Sequence, residues 1–352
     1  MMKRRLLLAA AAATPLLSAA DAPVQRLALA WRLADGREQA GLLGLDWGAR
    51  RIDMLAAWTL PSRAHGLIAD GRGGFYAVAA RAGDWLLHVD AAGAATWARQ
   101  DGAWRFNGHL LLHPAGLFAT ETDPRDESSH LALREPRTLA LIARLPLAGR
   151  DAHQLVAEPD GRLLLALGGL RRWPDGRKRE GAIASALLKL DPTTGGELAR
   201  WRLDDPDISL RHLAWSHDGQ RLGIALQAAH AAKERRAAAP LLAVFEGDQL
   251  QLPVAGGPGQ GYAGDICAAP GGGFVLSAQK AGQGLLWQPG VPADLTRIAE
   301  LTDPCALHDG WHGGERAVLL VAGRGVARWQ ANGAQMLAWP QPLAPDNHAV
   351  LV

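Results

Sequence analysis

Short apolar runs recur along the whole chain and are separated by Gly, Asp-Gly and Pro steps. Runs such as "FYAVA" and "LLLAL" are typical of buried β-strands, and the gaps between them are too short for crossover helices. The pattern therefore predicts an all-β protein. The one convincing helix-forming stretch is 227–240, "QAAHAAKERRAAAP", which we predict to be a loop excursion ended by proline.

One motif occurs six times in the sequence: a strand, a tight Gly turn and a second strand. The copies begin at Arg63, Asn107, Asp151, Leu210, Ala263 and Thr302. In several copies a third strand and an Asp-led turn follow, as in "LLHVDAAG" and "LLKLDPTTGG". The residues that start the first strands are separated by 44, 44, 59, 53 and 38 positions. Such spacing, with four strands in each repeat, is typical of a β-propeller.

Six blade starts are visible, and the strands of 26–60 together with the C-terminal "GAQMLAWPQPL" supply one more blade. We therefore predict a seven-bladed β-propeller of four-stranded antiparallel blades, with six or eight blades as the alternatives. Pairing of the N-terminal strand with C-terminal strands closes the ring and removes open sheet edges. The predicted propeller is a single domain over 21–352.

The first strand of each blade lies innermost in a propeller, so the residues at its start surround one end of the central channel. The repeats place six side chains there that can bind a metal or transfer a proton: His65, His109, His153, His212, Asp265 and Asp303. Alternatively, these polar groups only satisfy open backbone groups in a wet channel. Because four of twelve histidines fall at one repeat position, we favour a binding site.

Channel geometry limits how many of these residues can share one ion, because metal–nitrogen bonds are about 2.0 to 2.2 Å long. We expect two or three neighbours to converge, with His65, His109 and His153 as the predicted metal ligands and iron or copper as the metal. Three further residues complete the predicted ligand-binding site: Arg63, Glu121 and Arg211. For Glu121, on the second strand of its blade, the alternative is an outward-facing polar position.

Cys267 and Cys305 each lie two residues beyond a ring aspartate, in adjacent blades. A disulfide needs Cα atoms within about 7 Å, which neighbouring inner strands only just provide, so we predict free buried thiols rather than a bridge.

The formal charge of +2 gives no basic field for polyphosphate, so nucleic acid is not an expected partner. The basic segment 171–181, "RRWPDGRKREG", is predicted to be a solvated loop.

The first twenty residues combine a basic start, a Leu/Ala run and small residues at Ser18 and Ala20, which predicts an export signal cleaved before Asp21. Arg4 and Arg5 followed by leucines also fit a loose twin-arginine signal. The apolar run is too short for a membrane span, so we expect a soluble, monomeric, periplasmic protein.

Several segments in order, "PSRAHG", "RFNGH", "DAHQL", "LRHLA", "GYAGD" and "DPCAL", resemble an exported bacterial β-propeller family, domain of unknown function 1513. The resemblance covers nearly all of the mature chain and matches the family at Arg63 and at the four ring histidines. Thr122 and Leu167 replace family amides. The resemblance implies twin-arginine export and gene neighbours encoding imelysin-like and dihaem-peroxidase-like iron-uptake proteins, which would be its partners. The family has no established activity.

Three functions are compatible with these features. The first is a periplasmic propeller that binds a small ligand or metal at a His-lined channel mouth, in iron acquisition. The second is a hydrolase that resembles propeller lactonases, with a ring histidine as general base and an arginine that stabilises an anion. The third is an interaction scaffold. No nucleophile elbow, HExxH motif or CxxCH motif occurs in the sequence, which favours binding over catalysis.

Overall fold

The apolar runs of the sequence are strands in the computed structural model, which describes residues 24–100, 102–171, 183–291 and 294–352. The described residues form 28 strands in seven sheets of four antiparallel strands each. The innermost strand of every sheet packs against those of its two neighbours, so the sheets close into a ring. The predicted seven-bladed β-propeller is confirmed.

The blades are numbered here by chain order of their innermost strands. Blade 7 contains β1 (Gln25–Leu33), β2 (Glu38–Asp46) and β3 (Arg51–Thr59); blade 1 contains β4 (Ala64–Ala69), β5 (Phe75–Ala79), β6 (Trp85–Val89) and β7 (Ala95–Arg99). Blade 2 contains β8 (Arg105–His113), β9 (Gly116–Asp123), β10 (Ser128–Arg134) and β11 (Leu141–Pro146); blade 3 contains β12 (Ala152–Ala157), β13 (Leu163–Leu167), β14 (Ala186–Leu190) and β15 (Glu197–Trp201). Blade 4 contains β16 (Ile208–Trp215), β17 (Leu222–Ala228), β18 (Leu242–Glu246) and β19 (Gln249–Gln251); blade 5 contains β20 (Ile266–Ala269), β21 (Gly273–Ala278), β22 (Gln283–Trp287) and β23 (Thr296–Glu300). Blade 6 contains β24 (Ala306–His312), β25 (Glu315–Ala322), β26 (Gly325–Gln330) and β27 (Gly333–Ala338); β28 (Leu343–Leu351) completes blade 7.

The ring is closed by β28, which pairs antiparallel with β1 and is the innermost strand of blade 7. The predicted closure by N- and C-terminal strands is therefore confirmed, but the C-terminal segment assigned to it was wrong. The segment "GAQMLA" is β27, the outermost strand of blade 6. The sequence pattern misplaced it because the strand beside β28 in its blade is β1, from the opposite end of the sequence, so the local motif of strand, Gly turn and strand is missing.

The core lies between neighbouring blades. The second strands β5 and β13 are buried along their whole length because each blade face is covered by the next blade, which explains their unbroken apolar runs. The outermost strand β7 alternates between exposed and half-buried residues. A typical interface joins Leu42 of blade 7 to Phe75 and Trp85 of blade 1. Rigid packing at each interface fixes the positions of the innermost strands.

The helix-forming stretch is shorter in the structure than the sequence suggested. Gln227 and Ala228 still belong to β17, and the helix α1 covers only Lys233–Ala237; a turn of 3-10 helix lies at Gln279–Ala281. In the described parts of the chain, no helix is long and apolar enough to cross a membrane. The predicted export signal and all of the basic segment except Arg171 lie outside the described residues.

Candidate metal centre

The innermost strands of five blades are interrupted by a β-bulge, and each bulge carries a histidine. In β4 the pairing with β5 shifts between Ala64 and Leu67, which leaves His65 in the irregular segment. A bulge inserts extra residues into one strand and re-aims their side chains. The same shift occurs at His109 in β8, His153 in β12, His212 in β16 and His348 in β28. The bulges therefore turn five histidines toward the channel.

Gly108 in β8 is needed for this arrangement. Its φ is +95°, and a Cβ atom added there would lie 2.8 Å from Cδ2 of His65. Glycine alone adopts such a conformation without strain and leaves room for the neighbouring imidazole. Gly108, in the segment "NGH", thus permits both the bulge in β8 and the close approach of His65 and His109.

The five imidazoles form what we call the histidine cluster: His65, His109, His153, His212 and His348. Their ring centroids are 4.2 Å apart for His109 and His153, 4.7 Å for His212 and His348, and 6.0 Å for His65 and His153. His109, His153, His212 and His348 are buried, and the side chain of His65 is 14% exposed. The cluster is drawn from five consecutive blades and from both ends of the sequence.

Four members of the cluster, His65, His109, His212 and His348, have ligand atoms that all lie within 4.8 Å of one another. Four nitrogens bound tetrahedrally to one ion at about 2.1 Å lie about 3.4 Å apart. The widest pair would have to close by up to roughly 1.4 Å for all four to bind one ion in this geometry. Of the three residues predicted as metal ligands, this group contains His65 and His109.

His153 makes contacts that set it apart from the group of four. Its Nδ1 lies 3.4 Å from Nη1 of Arg211, and its Nε2 lies 3.2 Å from Nε2 of His212. A guanidinium only donates, so Nδ1 of His153 accepts and Nε2 donates its proton to Nε2 of His212. His153 is therefore a hydrogen-bond donor within the cluster, and a metal ion bound at Nε2 of His212 would displace this hydrogen bond. Whether it ligates a metal stays a prediction.

Burial keeps four imidazoles of the cluster uncharged. It lowers the pKa of His109, His153 and His212 well below the ordinary value, and repulsion from neighbouring imidazoles and from Arg81 or Arg211 adds to the effect. Burial and the neighbouring His65 lower the pKa of His348 to about 3. Neutral imidazole is the form that binds metal ions.

Three buried nitrogens in the cluster have no hydrogen-bond partner among the described residues: Nε2 of His109, Nδ1 of His212 and Nε2 of His348. A buried polar atom without a partner is costly and commonly indicates an ion or water at the site. A metal ion between the imidazoles would satisfy the Nε2 atoms of His109 and His348. The residues present therefore fit a metal.

Two aspartates lie close to histidines of the cluster. Asp346 lies 3.8 Å from Nδ1 of His65 and forms a bidentate ion pair with Arg63 at 2.6 and 2.9 Å. Burial raises the pKa of Asp346, but hydrogen bonds from His65 and Arg63 outweigh it and lower the pKa to about 2. Asp265 lies 3.7 Å from Nδ1 of His348, and burial raises its pKa well above the usual range. A carboxylate within hydrogen-bond distance of an imidazole orients the ring toward a metal, and both aspartates would have to approach by a few tenths of an ångström to do so.

The remaining predicted site residues divide into two sets. Arg63 and Arg211 lie at the channel mouth, and Asp265 lies 3.7 Å from Nδ1 of His348 in the cluster. Asp303 is exposed, lies three residues before β24 and accepts a hydrogen bond from Gln279 at 2.6 Å. The structure does not bring it to the cluster.

Glu121 is also outside the cluster. It is fully buried within blade 2, where its carboxylate accepts hydrogen bonds from Gln100 at 2.6 Å, Arg134 at 3.1 Å and Arg144 at 2.9 Å. Glu121 therefore points neither toward a ligand in the channel nor outward to solvent, which were the two expected orientations. It belongs to an ion-pair network inside its blade.

His348 and Asp346 were missed by the sequence reasoning. Their segment, "PDNHAVL", has the same form as the other blade starts, a polar step and a histidine before an apolar run. That resemblance is the signal that could have revealed them. It was hidden because the other copies continue into a Gly turn and a second strand, whereas the strand beside β28 is β1, from the opposite end of the sequence.

Above the cluster lies an open depression of about 450 Å³, which we call the mouth cavity. Its lining is strongly polar and comprises Arg63, His65, Ala80, Arg81, Asn107, His153, Arg211, His212, Gln227, Tyr262, Gln279 and Asn347. A second cavity of about 300 Å³ on the other side of the cluster includes Asp265 and His348 in its lining. The cluster thus separates two parts of the central channel.

Outside the channel, Asp205, Asp207 and His230 also lie close enough together to hold an ion. There, Asp205 already accepts hydrogen bonds from His230 at 2.9 Å and Arg235 at 3.2 Å, so the group is explained as an ion-pair network.

Cys267 and Cys305 are free and buried, which confirms the prediction, and burial raises the pKa of both thiols.

Solved structures with the same fold include a putative 6-phosphogluconolactonase from Bacteroides uniformis, 12% identical over 95% of this chain and 100% of that one, with a TM-score of 0.62. Virginiamycin B lyase from Staphylococcus aureus is 9% identical over 79% of this chain and 84% of that one, with a TM-score of 0.57. Kuenenia stuttgartiensis hydrazine synthase is 10% identical over 94% and 99%, with a TM-score of 0.56. At these identities the likeness concerns the fold alone.

Among curated proteins, none matches the sequence significantly. One family does match, over residues 58–352, and its description is a protein of unknown function, DUF1513. The matched region runs from the end of β3 through the six blades that are built from consecutive strands to the closing strand β28. The chain therefore belongs to the DUF1513 family of β-propellers.

Proposed function

We propose that this propeller is a binding protein that holds a transition-metal ion at the histidine cluster. The observation that carries the proposal is the group of His65, His109, His212 and His348, whose ligand atoms lie within 4.8 Å of one another in a buried site. The four imidazoles are held near one point because the blade interfaces already fix the strands that carry them.

The neutral state of the cluster supports metal binding over a purely structural role. A cluster held together by its own hydrogen bonds would satisfy its buried nitrogens, yet His109 and His348 each keep an unpartnered Nε2 among the described residues. Since burial already holds His109, His212 and His348 neutral, an incoming cation displaces no proton from these three imidazoles.

The donor set points to copper ahead of iron. Imidazole nitrogen binds Cu²⁺, Zn²⁺, Ni²⁺ and Fe²⁺, and Cu²⁺ forms the most stable complexes of the divalent first-row ions. The four-membered group contains no carboxylate, thiolate or thioether ligand. A bound Cu²⁺ would be held by His65, His109, His212 and His348, while Asp346 and Asp265 would orient His65 and His348.

The test is a titration of the chelator-treated protein with Cu²⁺, Zn²⁺ and Fe²⁺, followed calorimetrically. We expect one ion per chain, and at least about tenfold weaker binding for His109→Ala and for His348→Ala, because each loses a ligand without leaving a charge behind. His230→Ala is the matched control, since His230 is equally buried but belongs to the separate group with Asp205. Absence of a stoichiometric site, or equal effects of the control, would refute the proposal.

The cellular role that we propose is the handling of copper or iron in the periplasm, and iron acquisition is the role that the family resemblance implies. The support is the basic, apolar and small-residue pattern of the first twenty residues and the family resemblance described above. Fractionation of cells that express the full chain, with and without Arg4→Lys and Arg5→Lys, tests the compartment and the export route. Growth of a deletion strain under iron and copper limitation tests the role, and a defect under copper limitation alone would exclude iron acquisition.

A lactonase-like hydrolase is the second candidate. The observation in its favour is that His65, His153 and His212 line a cavity next to Arg63 and Arg211, which could supply a general base and stabilise an oxyanion. A panel of lactones and esters, assayed with the metal-free and the metal-loaded protein, tests this function. Turnover that disappears in His65→Ala would support it, and no turnover in either form would exclude it.

A further inference from the structure

A buried ion pair between Arg211 and Asp151 lies beside the histidine cluster. Arg211 directly precedes His212 in β16, and its Nη1 lies 3.0 Å from Oδ2 of Asp151. The same carboxylate oxygen accepts a hydrogen bond from the backbone N–H of Leu170 at 3.2 Å. Burial lowers the pKa of Arg211 to about 10, so its guanidinium is charged at neutral pH. The pair therefore holds a cation in a fixed position against the cluster.

The guanidinium of Arg211 makes one hydrogen bond among the described residues, and its acceptor is Nδ1 of His153 at 3.4 Å. A guanidinium has donors only, so Nδ1 of His153 must present a lone pair. Burial lowers the pKa of His153 well below its ordinary value, so this imidazole is neutral and carries its single proton on Nε2. Arg211 therefore selects one of the two tautomers of His153.

The tautomer of His153 determines the state of His212. Nε2 of His153 lies 3.2 Å from Nε2 of His212, which accepts its proton in a hydrogen bond. Because burial also keeps His212 neutral, the proton of His212 itself lies on Nδ1, which has no partner among the described residues. One nitrogen of His212 is thus engaged as an acceptor and the other is protonated, so neither offers a free lone pair.

Metal binding at His212 therefore requires the His153–His212 hydrogen bond to be lost or reversed, whichever nitrogen of His212 binds the ion. Binding through Nε2 displaces the N–H group of His153. Binding through Nδ1 moves the proton of His212 to Nε2, where it faces the N–H group of His153. Reversal of the hydrogen bond would place a proton on Nδ1 of His153, opposite the N–H groups of Arg211. Arg211 opposes this rearrangement.

From these contacts we propose that Arg211 is a positioning residue that weakens metal binding at the histidine cluster by holding His153 in the tautomer with its proton on Nε2. This inference rests on the proposed metal site and concerns its regulation. A site whose metal-free state is stabilised in this way releases its ion readily to a competing ligand. The ion is then a cargo of the propeller and not a permanent part of its fold.

Gly168 offers a variant that moves the ion pair without removing a charge. A Cβ atom at this position would clash with Oδ2 of Asp151 and lie 2.7 Å from Nη1 of Arg211. Both atoms are the ends of flexible side chains, and Gly168 does not have a positive φ, so Gly168→Ala should shift the guanidinium and keep the fold. Gly48→Ala is the matched control, because its added Cβ would lie 3.6 Å from Oδ1 of Asp46, an ordinary contact.

Arg211→Met is the second variant, and it removes the donor altogether. Asp151 keeps its ion pair with Arg81 in this variant, so the carboxylate is not left without a counter-charge. Comparison with Gly168→Ala separates the tautomer from the charge, since Gly168→Ala retains Arg211.

The first measurement determines the tautomer in metal-free protein with ¹⁵N-labelled histidine, whose two ring nitrogens have different chemical shifts in each tautomer. The signals that disappear in His153→Gln assign this residue. We expect the proton on Nε2 of His153 in the wild-type protein and in Gly48→Ala, and loss of this preference in Gly168→Ala and Arg211→Met. A proton on Nδ1 of His153 in the wild-type protein would overturn the proposal.

The second measurement is Cu²⁺ affinity and the rate of Cu²⁺ release to a competing chelator. We expect Gly168→Ala and Arg211→Met to bind Cu²⁺ at least about fivefold more tightly than the wild-type protein and to release it correspondingly more slowly, because one opposing hydrogen bond is lost. Gly48→Ala should behave like the wild-type protein. Tighter binding in Arg211→Met alone would show that the charge governs affinity, and would overturn the proposal.

The two measurements also distinguish failure of this inference from failure of the proposed function. Absence of Cu²⁺ binding in every protein would overturn the metal site and this inference with it. Stoichiometric binding by the wild-type protein, with no gain in either variant, would overturn this inference alone.

Discussion

Replacing His109 by glutamine should make the stability of the protein less sensitive to acid. Burial lowers the pKa of His109 well below its ordinary value, so the folded protein keeps this imidazole neutral while the unfolded chain takes up a proton below about pH 6.5. The unfolded state then binds more protons than the folded state. The free energy of unfolding must therefore fall as the pH is lowered through this range.

The size of the effect follows from the ordinary histidine pKa. Between about pH 7.5 and pH 5.5, one histidine that stays neutral in the folded state and titrates near 6.5 in the unfolded state costs about 1.4 kcal/mol. Other buried groups contribute too, and Asp265 acts in the opposite sense because burial raises its pKa. These contributions are common to both proteins and cancel in the comparison.

The assay is urea unfolding of the metal-free wild-type protein and His109→Gln, each at about pH 7.5 and pH 5.5. The stability lost on acidification should be smaller in the variant by about 1.4 kcal/mol, whatever its stability at neutral pH. Between about pH 8.5 and 7.5 the two proteins should change in parallel, since histidine is neutral in both states there. Equal acid sensitivity of the two proteins would refute the claim that His109 is held neutral.

Three further predictions concern other parts of the molecule. Gly108→Ala should lower Cu²⁺ affinity at least about tenfold and reduce Tm, because the added Cβ would displace the imidazole of His65. The control is Gly102→Ala, which lies at an open turn with a positive φ and should reduce stability only. Calorimetric measurement of Cu²⁺ binding and of Tm distinguishes the two variants. Glu121→Gln should destabilise the protein by about 3 kcal/mol in urea unfolding, since the buried Arg134 and the half-buried Arg144 lose their counter-charge. Metal affinity should stay within about twofold. Cys267 and Cys305 should react with a thiol reagent only after denaturation; rapid labelling of the native protein would contradict their burial and raised pKa.

The repeat pattern determined most of the fold. Unbroken apolar runs such as β5 and β13, followed by Gly turns, identify strands buried on both faces, and their spacing identifies four-stranded blades. The same pattern placed His65, His109, His153 and His212 at equivalent positions, because residues at one repeat position share one location in the ring. The seven blades and their closure by terminal strands followed from counting the copies.

The membership of the candidate site was decided by tertiary structure. His348 joins the cluster only because β28 pairs with β1 and becomes the innermost strand of a blade whose other strands lie at the opposite end of the sequence. Asp303 and Glu121 are excluded because neither lies at a bulge of an innermost strand: Asp303 precedes β24, whose pairing has no register shift, and Glu121 lies in β9, the second strand of its blade.

The sequence by itself therefore determined the architecture, because strand spacing and turn residues are local and repeat at regular intervals. Which histidines meet, at what distance and in what charge state depends on the bulges, the closure of the ring and burial by neighbouring blades. These are relations between residues far apart in the chain, and they exist only once all seven blades have packed.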